Sequence, residues 1–153
     1  MNERFERFTV MIAKINRNIR KIKIQEMAEY SLGSPHISCL YYLYSHNTVT
    51  ATDLCEKCDE DKATISRSIE HLEKNGYLTC ESKHIKRYKS PIVLTEKGKA
   101  VAKKIFDKVN AVLDEISEKM SENERIEFYR SLTVINEGLD AICKRFEKNK
   151  GTC

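Results

Sequence analysis

The sequence predicts a mainly helical chain carrying one small two-stranded β hairpin. Three observations carry that reading. Gly and Pro number only 5 and 2 among 153 residues, and scarce breakers favour helix. Apolar residues recur at steps of three and four over most of the length. Two short β-type runs, Tyr77 to Glu81 and Ile92 to Leu94, flank the basic loop SKHIKRYKSP. The length suits one domain, or one domain with extensions, and is enough to bury a real core. An apolar fraction of 41% beside a charged fraction of 33% points to long solvated helices.

The elements follow in order. Phe5, Phe8, Ile12, Ile15, Ile19 and Ile22 form one apolar edge of an amphipathic first helix. Lys14, Arg17, Arg20, Lys21 and Lys23 occupy its other faces, and Leu32-Gly33 marks its stop. Ser34-Pro35 opens a second helix, with Ser34 as N-cap and Ile37, Leu40, Tyr41 and Tyr44 as its apolar side. Thr48-Val49 is a fragment of strand. Thr50 to Asp53 has the spacing of a capping box, so ATDLCEKC is a short third helix. The acidic turn Asp59-Glu60-Asp61 caps a fourth helix. There Ile65, Ile69 and Leu72 face inward and Asn75-Gly76 is the stop. Thr95 caps a long fifth helix striped by Val101, Ile105, Val109, Val112, Ile116 and Met120. Ser121 and Glu124 form a capping box for a sixth helix, striped by Phe128, Leu132, Ile135, Leu139, Ile142 and Phe146. The last residues, from Lys148 to Cys153, are expected to fray.

Charge is unevenly spread along this order. Residues 31–61 carry 1 basic and 5 acidic groups, whereas residues 62–99 carry 9 basic and 4 acidic. A basic excess on the fourth helix and the hairpin loop suits a polyanionic partner. No run approaches the roughly 18 apolar residues of a membrane span, and the start, MNERFERF, lacks an apolar signal segment. A cytoplasmic protein with reduced thiols is expected.

Helix, acidic turn, helix and basic hairpin together describe a winged helix-turn-helix. The helix from Lys62 to Lys74 has the width of the DNA major groove. Its outer face carries Thr64, Ser66 and Ser68, short enough for close approach, and Arg67, a bidentate donor for guanine or phosphate. Lys62 and His71 extend that face towards phosphate. The loop presents Lys83, Lys86, Arg87 and Lys89 to the backbone or the minor groove.

The run ISRSIEHLEKNGYL, followed by a basic loop and then PIVLTEKGKAVAKKI, resembles the MarR family of bacterial transcriptional regulators. The later SENERIEFYRSL fits as well, so the resemblance spans nearly the whole chain. The pairing of LEKNGYL with LTEKG at this separation is its most specific part. It implies a winged helix-turn-helix homodimer on a pseudo-palindromic, double-stranded DNA operator. It also implies a repressor relieved by a small-molecule effector. The implied division is residues 1–32 for dimerisation, 33–98 for DNA binding and 99–153 for dimerisation. Family wings carry an Asp two residues before the Arg that enters the minor groove. Here that position is Ile85, so no carboxylate orients Arg87.

Six cysteines and four histidines remain. Cys55 and Cys58, at i and i+3 of a helix, suggest an alternative, a redox- or metal-responsive regulator. Against it, a zinc site wants about four ligands, and Glu56 and Asp59 would raise the thiol pKa values. Cys39, Cys80 and Cys143 read as core, and Cys153 as an exposed tail thiol. His36, His71 and His84 lack the compact spacing of a metal set, so neither metal nor cofactor is expected. Tyr41, Tyr42 and Tyr44 read as core and pocket wall. No Gly-rich phosphate loop, nucleophile motif or His-Glu metal motif supports an enzyme. A second alternative is a winged-helix module that binds another protein, which the acidic stretch from Asp53 to Asp61 favours.

Overall fold

The computed structural model describes residues 3–46, 48–80 and 90–150. Among these described residues, six α-helices and two strands run in order as α1 (Glu3–Glu26), α2 (Ser34–Ser45), α3 (Ala51–Cys58), α4 (Lys62–Lys74), β1 (Leu78–Cys80), β2 (Ile92–Leu94), α5 (Glu96–Ser117) and α6 (Glu122–Lys150). The chain divides into two compact units, Met1–Asn110 and Ala111–Cys153. The expected mainly α fold with a small β element is therefore present.

In the first unit α2, α3 and α4 pack on one another over a core that includes Leu40, Leu54, Ile65, Leu72 and Ile105, all fully buried. α1 ends earlier than its apolar pattern does. A 3₁₀ turn, Ala28–Tyr30, follows it and closes with Ser31 in the left-handed region at φ 53°. The buried side chains Met27 and Leu32 pin this turn from either side. α2 starts at Ser34, the residue expected as its cap. Gly33 is the N-cap, and its N–H donates to His36 Nδ1 at 3.1 Å. His36, three residues on, supplies the side-chain acceptor, so Ser34 enters the helix as its first residue.

The other helix starts follow their capping residues. Thr50 N–H and Oγ1 both donate to Asp53 Oδ2, at 2.8 and 2.7 Å, and Asp53 N–H returns a bond to Thr50 Oγ1. Those bonds hold the Asp53 carboxyl below the usual carboxylate range. Thr95 caps α5: its hydroxyl accepts from Gly98 N–H at 3.0 Å and donates to Gly76 O at 2.7 Å. The strands pair antiparallel, Leu78 opposite Leu94 and Cys80 opposite Ile92, and Val49 bridges to Ile92. This small sheet fixes the base from which the basic loop departs.

The second unit holds the end of α5 and all of α6. Ser121 and Glu124 form the anticipated box, Ser121 N–H donating to Glu124 Oε2 at 2.8 Å. Along α6 the stripe Phe128, Ile135, Leu139, Ile142 and Phe146 remains exposed to solvent in the single chain. So do Ile12, Ile15, Ile19 and Ile22 along α1. No helix among the described residues is long and apolar enough to cross a membrane.

Candidate nucleic-acid interface

α4 is built to present one face. Its inner stripe, Ile65, Ser68, Ile69 and Leu72, is buried, and i, i+3, i+4, i+7 is the spacing of a single helical face. Both ends are closed. At the N-terminus Asp61 accepts from Thr64 N–H through Oδ1 and from Thr64 Oγ1 through Oδ2, each at 2.9 Å. At the C-terminus Tyr77 N–H donates to Leu72 O at 2.9 Å and Gly76 N–H to Glu73 O at 3.0 Å. Gly76 takes φ 74°. This Schellman closure needs a left-handed residue, which is the reason for glycine at the end of the helix. Tyr77 then turns inward and is buried beside Leu72 in the core cluster.

The outer face begins with Lys62 and Ala63, both exposed. Arg67 is exposed and donates from Nη2 to Thr64 Oγ1 at 3.2 Å. Asp61, Thr64 and Arg67 thus form a ladder at i, i+3, i+6 that aligns the guanidinium along the helix. Ser66 is partly exposed on the flank. His71, one turn further, is exposed, and its ring stacks on His36 of α2 with centroids 4.3 Å apart and planes 12° apart. Burial first, then the neighbouring His71, lowers the pKa of His36. A neutral His36 is also what acceptance from Gly33 N–H requires.

Ser68 does not belong with these residues. It is 3% exposed, and its hydroxyl donates to Thr64 O at 2.8 Å. Three residues after Ile65 and four before Leu72, it sits in the inward stripe, and the back-bond to the helix carbonyl satisfies its one donor. Lys83, Lys86, Arg87 and Lys89 lie outside the described residues. The structure adds one partner that sequence order alone could not supply, the His36 ring beneath His71. The two residues are far apart in the chain, and only the packing of α2 on α4 joins them.

Asp61 is held below the usual carboxylate range, first by the Thr64 N–H and then by the Thr64 hydroxyl. A carboxyl with a lowered folded pKa stabilises above its unfolded value, about pH 4, and loses that contribution as the pH falls through the folded value. Asp61→Ala is therefore expected to lower Tm at pH 7 and to leave Tm unchanged in acid well below pH 4. The same substitution should speed amide hydrogen exchange at Ala63 and Thr64. An equal Tm loss at both pH values would show that the carboxylate is not the cap.

Among the described residues, no group of three or more His, Cys, Asp or Glu side chains is placed to hold a metal ion. Of the cysteines expected in the core, Cys39 is buried there and Cys80 packs against it, half-buried, whereas Cys143 is exposed on α6. The thiol of Cys55 is pushed up, chiefly by burial, whereas that of Cys58 is lowered.

Comparison with known proteins fits this geometry. Residues 36–113 match the family model described as a winged helix DNA-binding domain. An uncharacterised HTH-type transcriptional regulator, YfiV of Bacillus subtilis (strain 168), is 22% identical over 76% of this chain and 73% of its own length. Among solved structures, a MarR family regulator of Neisseria meningitidis, NMB1585, superposes with a TM-score of 0.81 at 19% identity, covering 93% of this chain and 97% of that one. The MepR–DNA complex of S. aureus superposes with a TM-score of 0.76 at 17% identity, covering 86% and 97%.

Proposed function

This chain belongs to the winged helix DNA-binding domain family, and on that ground we propose that it is a sequence-specific transcriptional regulator of the MarR type, acting as a homodimeric repressor on a double-stranded operator. The observation that carries the reading is the α4 ladder: a helix closed at both ends, packed by one stripe, with Arg67 aligned on Thr64 along the exposed side. Lys62, Thr64, Ser66, Arg67 and His71 are the major-groove set. Lys83, Lys86, Arg87 and Lys89 of the loop are the phosphate and minor-groove set, and each phosphate they neutralise makes binding more salt-dependent. The apolar stripes of α1 and α6 are the dimer surfaces, which place two α4 helices on successive turns of a duplex.

A small-molecule effector that relieves repression completes the reading. Neighbouring aromatic rings support it: half-buried Tyr41 stacks on half-buried Phe106 at 5.6 Å, and exposed Tyr44 lies 5.5 Å from the same ring. These rings join α2, which carries His36, to α5.

The test starts with selection of bound fragments from random duplex DNA by the purified protein. On the selected site, Arg67→Ala is expected to lower affinity and to relax selectivity at one base position by about 1–3 kcal/mol. Gel-shift titration against single-base variants of the site measures both. Unchanged affinity and selectivity would remove Arg67 from the interface. Failure to select any sequence, with weak and salt-insensitive DNA association, would favour a protein-binding module instead.

A further inference from the structure

His36 and His71 belong to different helices, and the fold lays one ring flat on the other. Their centroids are 4.3 Å apart and their planes 12° apart, the geometry of a stacked pair. His71 is exposed on α4, one turn after Arg67 and on the same outer face. His36 is half-buried in the first turn of α2, which packs on α4. An exposed side chain on a helix ordinarily samples several staggered rotamers. The imidazole of His71 instead has a flat surface to lie on.

Each member of the stack is also held from its other side. His36 Nδ1 accepts from Gly33 N–H at 3.1 Å. With Nδ1 accepting, the neutral ring carries its proton on Nε2, so that one bond sets both tautomer and orientation. Behind His71, the backbone N–H and the side-chain Nδ2 of Asn75 both donate to His71 O, at 3.1 and 2.7 Å. The end of α4 thus fixes the His71 backbone, and α2 fixes its ring. His36 does two jobs with two parts of one side chain: its edge caps α2 and its face supports His71.

We propose that His36 is a positioning residue for DNA binding, its ring holding the His71 imidazole in the orientation that meets the major groove. The inference rests on the reading of α4 as the DNA-contacting helix. In this role His36 acts through His71 and need not touch DNA itself. A side chain that is first ordered on contact weakens binding by the entropy it loses there. A ring already stacked in the free protein has lost that freedom beforehand. Removing the support is therefore expected to lower operator affinity by about threefold to tenfold, the size of one newly immobilised side chain.

Two substitutions in the full-length protein separate the two jobs. His36→Asn removes the ring and keeps an acceptor for Gly33 N–H, as the short Asp53 side chain serves Thr50 N–H at 2.8 Å. His36→Phe keeps a ring and removes the acceptor. In gel shifts on the selected site, His36→Asn should bind about threefold to tenfold more weakly at a nearly unchanged Tm. His36→Phe should recover that affinity at a lower Tm. In a His71→Ala background His36→Asn should cost nothing further, the non-additivity of a residue that acts through another. Affinity that instead follows Tm, with His36→Phe the weaker binder, would reduce His36 to a cap and overturn the role. So would losses that add in the double variant. In the free protein, the His71 ring protons should carry the upfield ring-current shift of the His36 ring and lose it in His36→Asn. Resonances that do not move would overturn the stack, whether or not His36→Phe folds. If the stack is seen and no variant binds any DNA, the DNA-binding reading fails and takes the positioning role with it, while the stack stands.

Discussion

Gly98→Ala should be among the most destabilising single-methyl changes this chain can suffer. Gly98 is buried in the first turn of α5, where helix propensity alone would favour alanine by about 1 kcal/mol. A Cβ built there would fall on the carbonyl oxygen of Tyr77 and lie 2.8 Å from its carbon, with Leu94 Cδ2 at 3.3 Å. The first two are backbone atoms and cannot rotate aside. They also belong to the residue that completes the Schellman closure of α4, and the Tyr77 carbonyl accepts from Thr95 N–H at 3.1 Å. Relief would therefore separate the end of α4, the base of the sheet and the start of α5 together. Lys97 is fixed at the same junction, donating to Asn75 O at 2.8 Å. A loss of about 3 kcal/mol, at the top of the usual range for overpacking, is expected in urea denaturation. Operator affinity should fall with it, since the same junction aims α4. A stability equal to or above the parent's would show that the backbone contact relaxes freely.

The same junction shows which parts of the fold are legible in the chain. Asn75-Gly76 and Thr95 announce their helix ends because capping is local chemistry, settled within a few residues. The boxes at Thr50–Asp53 and Ser121–Glu124 are legible for the same reason. Where a helix end depends on a distant surface, the reading slips. α1 stops at Glu26 because Met27 and Leu32 turn into the core, and Lys108 of α5 donates to Glu26 O at 2.6 Å. Nothing near Glu26 in sequence signals that partner.

Within the candidate site the division is alike. The exposed positions of Lys62, Arg67 and His71 follow from helical periodicity. The burial of Ser68 follows from it too, once the stripe is counted through Ile65, Ser68, Ile69 and Leu72. A hydroxyl residue reads as surface by composition, and here the periodicity was the better guide. The ring of His36 under His71 is not legible, because that contact joins α2 to α4 by tertiary packing.

Breaking the α6 stripe should have the largest effect on DNA binding. Phe128, Leu132, Ile135, Leu139, Ile142 and Phe146 advance by 4, 3, 4, 3 and 4, which keeps them on one edge of the helix. In the single chain Ile135 and Leu139 are 37% and 42% exposed and Phe146 is 63% exposed. A contiguous apolar strip of this kind on a charged helix marks an association surface. In the proposed dimer a second copy of the same strip would satisfy it through a two-fold axis. Ile135→Glu with Leu139→Glu would place two carboxylates, and two from the other copy, inside that seam. Burying charge without partners is costly enough to separate the protomers. In sedimentation the unaltered protein is expected at twice the 17.8 kDa chain mass, and the double variant at the chain mass. Each protomer would then engage one half-site alone. The second contact would no longer follow at high effective concentration, and affinity for the selected site should drop by about 10²-fold or more. Asn136→Glu, on the same helix but off the stripe, should change neither mass nor affinity. Helical circular dichroism retained by the double variant separates lost pairing from lost folding. A double variant that still sediments as a pair would place the dimer contact elsewhere. An unaltered protein that sediments as a single chain would leave the exposed stripe to a different partner.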